Sequence, residues 1–362
     1  MNTLRTPGNS FKRTVQKSCS QQRNHRLREL STSALPRPFR FHVGASWAGK
    51  QPDPIKKKIK TASFPSTSAI GAWRDHVLSR PKANKRKDIG EDFFYIQDMR
   101  NQSGLSMGVA DGVGGWIDSG VDPALFAQAL MHHAHRYAKT SWPGEPEIDP
   151  TQDYEEREQV EGWELRPQEC LELAYGGVLR ERAVLAGSST GCIVHLNAGN
   201  GILRSANLGD SGFCIIRSSS LLYQQEPQTH FFNCPKQLSK IPPILGGRGT
   251  LSDSPRDADV YETKVLDGDI VILYTDGLSD NVFHSEMVSV CSLVSRQFAT
   301  VPRLLDPSQV VSSFQEDALV QAIADRMVDY AQMCMINKRR ISPFQRAAIR
   351  EGLYHRGGKV DE

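Results

Sequence analysis

SMGVADGVGGW, residues 106–116, sets the reading of this chain: an apolar run stops at Asp111 and glycine follows at once. The same construction recurs at SANLGDSGF, residues 205–213, with Asp210, and at VILYTDGLSD, residues 271–280, with Asp276 and Asp280. A fourth acidic pair, Glu91-Asp92, stands just before the strand-like FFYI of residues 93–96. Any single Asp-Gly is most simply a turn that ends a strand. Together the four segments place carboxylates at the rim of a sheet.

Working outward, residues 93–96, 105–110, 191–196, 202–207 and 213–217 read as strands. The Asn-Ala-Gly-Asn-Gly of 197–201 suits a hairpin. Residues 269–275, DIVILYT, are nearly all apolar and β-branched, which predicts a strand buried on both faces. Asp122-Pro123 opens a helix that runs to about residue 138. Further helical patterns cover 168–186, 284–299 and 315–335, whereas 219–260 read as irregular. Runs of strands and of helices without regular alternation indicate an α+β chain with layered packing.

The chain has 362 residues, 39% of them hydrophobic and 23% charged, enough for a sizeable core. No apolar run approaches the roughly 20 residues that cross a bilayer. The net charge of +3 conceals a split, since residues 1–60 hold 14 Lys or Arg against Glu29 and Asp53 alone. The rest of the chain is therefore acidic, which argues against nucleic acid as a partner. The first 40 residues are rich in Arg, Ser, Thr and Gln and nearly free of acids, the composition of a mitochondrial transit peptide. Residues 1–62 are accordingly expected to be a disordered transit peptide and basic linker, and 63–362 the folded domain. Within that domain, residues 143–167 carry nine acids and several prolines, an exposed acidic loop. The 7 cysteines show no CxxC spacing, which favours a reducing compartment; Cys192 and Cys214 read as small buried hydrophobes.

Other features carry simpler readings. His132, His133 and His135 share a helix, but neighbours in sequence point apart, against a metal site. Gly246-Gly247-Arg248-Gly249 lacks the Lys-Ser/Thr of a phosphate-cradling loop. Ser188-Ser189-Thr190 has no base beside it and reads as a strand-edge turn. Trp116 packs beneath the 111–115 loop or forms a rim aromatic. Hard oxygen donors without His or Cys favour Mg²⁺ or Mn²⁺. Two such ions sharing a carboxylate activate water and neutralise a phosphoryl group. Lys87, four residues before Glu91, offers an anchor for the anion, so the chemistry points to phosphate-ester hydrolysis.

The blocks GED (90–92), DGVGGW (111–116), SSTGC (188–192), ANLGDSG (206–212), DGLSDN (276–281) and GGKVD (357–361) resemble, in order, the metal-dependent, protein phosphatase 2C-like family. DGVGGW, QTHFFNCP (228–235) and SPFQRAA (342–348) are similar to its mitochondrial subfamily, tied to ubiquinone synthesis and matrix protein phosphorylation. The resemblance implies a four-layer αββα sandwich with two central antiparallel sheets. It implies that Asp111 bridges two ions, with Glu91 and the Gly112 carbonyl completing one site and Asp276 and Asp361 the other. Asp92 would orient water, and Asp210 with Asp276 would hold a weaker third ion. The implied protein is a monomeric matrix phosphatase in which metal-activated water attacks phosphoserine or phosphothreonine in phosphorylated protein substrates, without a covalent intermediate. Three departures stand out: Val113 where many members have His, Lys87 where they have Arg, and a chain that stops at Glu362 where they continue with an apolar core strand. Truncation of that last strand leaves one alternative, a non-catalytic module that binds phosphoproteins; a second, independent of the truncation, is a metal phosphoesterase acting on a small molecule, which a deep closed pocket would favour over an open cleft.

Overall fold

Short connections bearing Asn and Gly turn Phe93–Asp98 back on Gly104–Ala110 and Gly191–Asn197 back on Ile202–Leu208, and all strand pairs among the described residues are antiparallel. The computed structural model describes residues 37–50, 63–81, 88–145, 163–242, 251–300 and 309–362. β1 (Phe93–Asp98), β2 (Gly104–Ala110), β4 (Gly191–Asn197), β5 (Ile202–Leu208) and β11 (Asp259–Lys264) form one sheet in that order. β12 (Ile270–Tyr274), β6 (Gly212–Arg217) and β7 (Ser220–Gln224) form a second. β3 (Gly187–Ser189) pairs with β10 (Leu238–Lys240), and β8 (Thr229–Phe231) with β9 (Cys234–Pro235).

Period-2 side chains divide the apolar residues among three interfaces. Ile193, Ala206 and Leu208 pack on α2 (Pro123–Thr140) and α3 (Pro167–Arg180) through Leu130, Met131, Leu171 and Val178. Their strand neighbours Cys192, Val194 and Leu203 turn the other way, onto Phe213 and Ile215 of the second sheet. Cys214 and Ile216 in turn face α5 (His284–Thr300) and α6 (Gln309–Ile336), where Met287, Val294, Ile323 and Met327 receive them. Three interfaces define four layers, helix–sheet–sheet–helix, so the α+β sandwich and the buried cysteines hold. Asp122 caps α2, accepting from the Ala124 amide at 3.1 Å, with Pro123 in the first turn as the sequence indicated. α1 (Ala69–Leu78) lies against α2, with Trp73 packed on His132 and His135. Burial first, then neighbouring positive charge, pushes both imidazoles down to about 4, so these histidines are neutral core groups.

Three expectations change. Residues 219–260 contain β7 to β10 and the start of β11, strands too short to show a period in sequence. β12 is an outer strand among the described residues and only partly buried. It borders a cavity of about 900 Å³ that is also lined by residues 38–48, Leu105, Met107, Leu319 and Ile323, with Glu362 among its wall residues. Residues 37–50, expected within a disordered linker, run along the domain. The Phe39 amide donates to Ala198 (3.2 Å), the Gln321 amide bridges Ala45 in both directions (3.1 and 2.9 Å), and Trp47 is buried against Phe94. Most of the acidic loop, residues 146–162, lies outside the described residues, as do residues 1–36, 51–62 and Gly246–Gly249.

Candidate metal centre

Strand register brings the carboxylates together. Phe93 pairs with Ala110, so Asp92, one residue before β1, stands beside Asp111, one residue after β2. Gly191 pairs with Leu208 and Gly212 with Tyr274, which carries Asp210 and Asp276 to the same rim. Ligand oxygens of Asp111, Asp210 and Asp276 lie within 4.8 Å of one another, and so do those of Asp276, Asp280 and Asp361. Asp276 belongs to both groups and opens α4 (Asp276–Ser279).

The SSTGC block is the clamp on the Asp111 loop. The Asp111 amide donates to Thr190 Oγ1 (3.1 Å), the Thr190 amide to the Asp111 carbonyl (3.0 Å) and the Val113 amide to the Ser188 carbonyl (3.0 Å). Trp116 donates its indole N–H to Ser188 Oγ at 2.8 Å, so it braces the loop. Only glycine fits at 112, because a Cβ there would stand 2.6 Å from the Glu91 carbonyl oxygen and 2.7 Å from that of Pro123. Thr275 donates to Asp92 Oδ2 at 2.7 Å and fixes that nearly buried carboxylate.

The last segment is held by its own clasp. Asn281, fully buried after α4, donates to the carbonyls of Gly277 (2.9 Å) and Lys359 (2.8 Å) and accepts from the Lys359 amide (2.9 Å). Ser342 donates to the Gly357 carbonyl (2.7 Å), while Gln345, on α7 (Pro343–Arg350), accepts from the Gly357 amide (2.7 Å). Asp361 is thereby fixed two residues beyond the clasp.

So many buried carboxylates are costly without a counter-charge. Burial, and then like charge from their neighbours, pushes Asp111 well above the carboxylate range and Asp210 up to about 7. Asp280 rises to about 8 for the same reasons, and Asp92 rises well above its usual range although its Thr275 bond opposes the shift. Asp210 Oδ1 is buried with no hydrogen-bond partner. An oxygen-only donor set, crowded, charged and carrying an orphaned oxygen, fits Mg²⁺ or Mn²⁺.

Not every expected residue arrives in the expected role. Asp92, Asp111, Asp210, Asp276 and Asp361 meet at the rim. Glu91 does not join either group of ligand oxygens; its Oε2 is 3.1 Å from Lys50 Nζ, and its carbonyl lies over Gly112. Lys87 lies outside the described residues. Besides Lys359, which pairs with Asp276, Asp280 and Asp361, a second cation stands beside the rim: Lys50, 3.0 Å from Glu362 and held charged by Glu362 and Glu91 against the opposing effect of burial. Sequence reading missed it, because nothing in a basic stretch 41 residues upstream marks one lysine as the partner of Glu91.

No family model matches the chain. It is 33% identical over 293 residues, 81% of each chain, to "Protein phosphatase PTC7 homolog fig" of Drosophila grimshawi. It is 34% identical over 273 residues, 75% of this chain and 77% of the other, to "Protein phosphatase PTC7 homolog" of Homo sapiens. Among solved structures it is similar to the photosystem II phosphatase PBCP, with TM-score 0.52 and 26% identity over 75% of this chain and 88% of that one.

Proposed function

The chain belongs to the protein phosphatases named PTC7 homologs, and from that premise we propose that it acts as a monomer on phosphoproteins of the mitochondrial matrix, in support of ubiquinone synthesis. It is a metal-dependent protein serine/threonine phosphatase, and the observation that carries the site is the convergence of Asp111, Asp210, Asp276, Asp280 and Asp361 on one rim. Asp111, Asp210 and Asp276 would hold one cation, and Asp276, Asp280 and Asp361 would offer a second place. Mg²⁺ or Mn²⁺ bound there supplies an activated water and neutralises the phosphoryl oxygens. Asp92, fixed by Thr275, orients water behind the phosphorus. Lys50, beside Glu91 and Glu362, supplies the positive charge that holds the phosphate oxygens. Val113 offers no proton, so the leaving alkoxide takes one from water at the rim.

The matrix placement is supported by the acid-poor, Arg- and Ser-rich first 40 residues and by the mitochondrial character of the DGVGGW and SPFQRAA blocks. The Asn281 clasp keeps Asp361 within ligand distance of Asp276 and Asp280, which supports an active centre over a phosphoprotein-binding module.

Mn²⁺-dependent phosphate release from a phosphothreonine peptide tests the chemistry. The full chain should release phosphate, and Asp111→Asn should lose at least about a hundredfold in rate; equal rates in both would sink the metal reading. A fluorescent tag placed after Glu362 should follow a matrix marker, and a cytosolic distribution would refute the placement. Unchanged ubiquinone in cells lacking the protein would refute the pathway.

A further inference from the structure

Of the two carboxylate groups at the rim, one already holds a positive charge from this chain. Lys359 Nζ is 2.5 Å from Asp276 Oδ2, 2.7 Å from Asp280 Oδ2 and 3.0 Å from Asp361 Oδ2. An ammonium has three donors, and here three carboxylates take them. The position is built, because Asn281 fixes the Lys359 backbone from both sides. The Phe344 ring lies 5.1 Å from the ammonium, a cation–π contact. In the Asp111–Asp210–Asp276 group the lysine holds only the shared Asp276: among the described residues no lysine or arginine forms an ion pair with Asp111 or Asp210, and Asp210 Oδ1 has no hydrogen-bond partner.

We propose that Lys359 is a tethered counter-ion that closes the Asp276–Asp280–Asp361 group and must leave it before a divalent cation enters, so that the two places fill in order. The proposal rests on the reading of this rim as a metal centre and concerns its regulation. The three oxygens that would bind the second ion are those that hold the ammonium, so the two cations exclude each other. At the first place the lysine engages one carboxylate of three, at the second all three, so the first fills first. Asp276 is common to both groups and is the carboxylate nearest Lys359, so an ion at the first place draws on the oxygen pair that retains the lysine. Filling the first place therefore favours release at the second, and by linkage release of the lysine tightens the first. Lysine suits this task, since its four-carbon stem lets the ammonium swing out while the clasped backbone stays put.

Mn²⁺ alone is the probe. Titrating the full chain by calorimetry, and counting free Mn²⁺ by its paramagnetic resonance signal, should show two classes of site separated by at least about tenfold in affinity. Lys359→Met should tighten the weaker class by about tenfold or more, and Lys359→Arg, which keeps a cation, should restore the separation. Lys359→Gln keeps polar donors without charge and should behave as Met does; it serves if the Met variant does not fold without metal. A weaker class unchanged or weakened in both Met and Gln variants overturns the proposal while leaving the metal centre intact. No Mn²⁺ bound by any variant, the unaltered chain included, overturns the metal reading itself and the proposal with it.

Discussion

Asn281→Ala is the substitution that most directly tests how the site is assembled. The amide is fully buried and makes three bonds of 2.8–2.9 Å, to the Gly277 carbonyl and to both backbone groups of Lys359. Alanine leaves all three unpartnered, and a buried polar group left unsatisfied costs about 1–3 kcal/mol. The Lys359 groups are only partly buried and regain some water, so the three do not add in full; about 3–5 kcal/mol is the expected loss. That is a large part of the roughly 5–15 kcal/mol that holds a domain. At about 2–4 °C per kcal/mol, the metal-free melting temperature should fall by about 10 °C. Asp361, two residues past the broken bonds, also loses its place, so the weaker class of Mn²⁺ site should weaken by at least about tenfold. Differential scanning calorimetry and Mn²⁺ titration of the full chain read both effects. Asn281→Asp keeps the acceptor for the Lys359 amide but turns a carboxylate oxygen on two carbonyls, so its loss should equal or exceed that of alanine. A fall of less than about 3 °C with both Mn²⁺ affinities retained would show that the clasp does not hold the ligand segment.

Lys50→Met removes the cation facing Glu91 and Glu362, and should raise KM for a phosphopeptide about tenfold while kcat changes less. An unchanged KM, or unchanged inhibition by inorganic phosphate, would refute its assignment as the phosphate anchor. His195 donates from Nδ1 to the Leu165 carbonyl at 3.0 Å, and burial pushes its imidazole from the ordinary 6.5 down to about 4. The unfolded chain then binds a proton that the folded one refuses, so its contribution is present above pH 6.5 and lost as pH falls toward 4. The loss is on the order of 3 kcal/mol. Subtracting the unfolding free energies of His195→Gln and the unaltered chain at pH 7, 5.5 and 4.5 should show that slope, and a flat difference would rule the histidine out.

The carboxylate rim was legible because strand ends are local events. An apolar run that stops at Asp-Gly fixes both the strand's last residue and the carboxylate beyond it, and antiparallel register does the rest, setting Asp92 beside Asp111 through Phe93 and Ala110. Contacts between distant segments were not legible. Lys50 meets Glu362 across 312 residues, and its stretch reads as a linker because basic charge masks the alternation of Phe39, Phe41 and Val43. Phe41 and Val43 in fact pack on the interface between the sheets. β12 was misjudged in another way. Its all-apolar composition states what its two faces tolerate, not how many neighbours its edges have, and among the described residues its one paired neighbour is β6. At Glu91 the motif fixes where the backbone passes, while the lysine that its carboxylate meets at 3.1 Å comes from another segment and leaves no local mark in the sequence.

The two lysines at the rim make a single electrostatic argument. Asp92, Asp111, Asp210, Asp280 and Glu362 crowd one rim with Asp276 and Asp361, and burial makes those five resist ionisation. The fold answers with cations from opposite ends of the described chain, Lys50 on the 37–50 segment and Lys359 on the clasped 357–361 segment. Asp361 shows the effect: burial would raise its carboxyl, yet Lys359 brings it below the usual range. A chain that meets its own acid excess in this way can fold before any metal arrives, and the same pairing sets the threshold a second ion has to exceed. Stability without metal and ease of loading are therefore opposed at Lys359, so a substitution there that strengthens Mn²⁺ binding should weaken the metal-free fold. The two changes should scale together across Met, Gln and Arg, because one set of oxygens serves both.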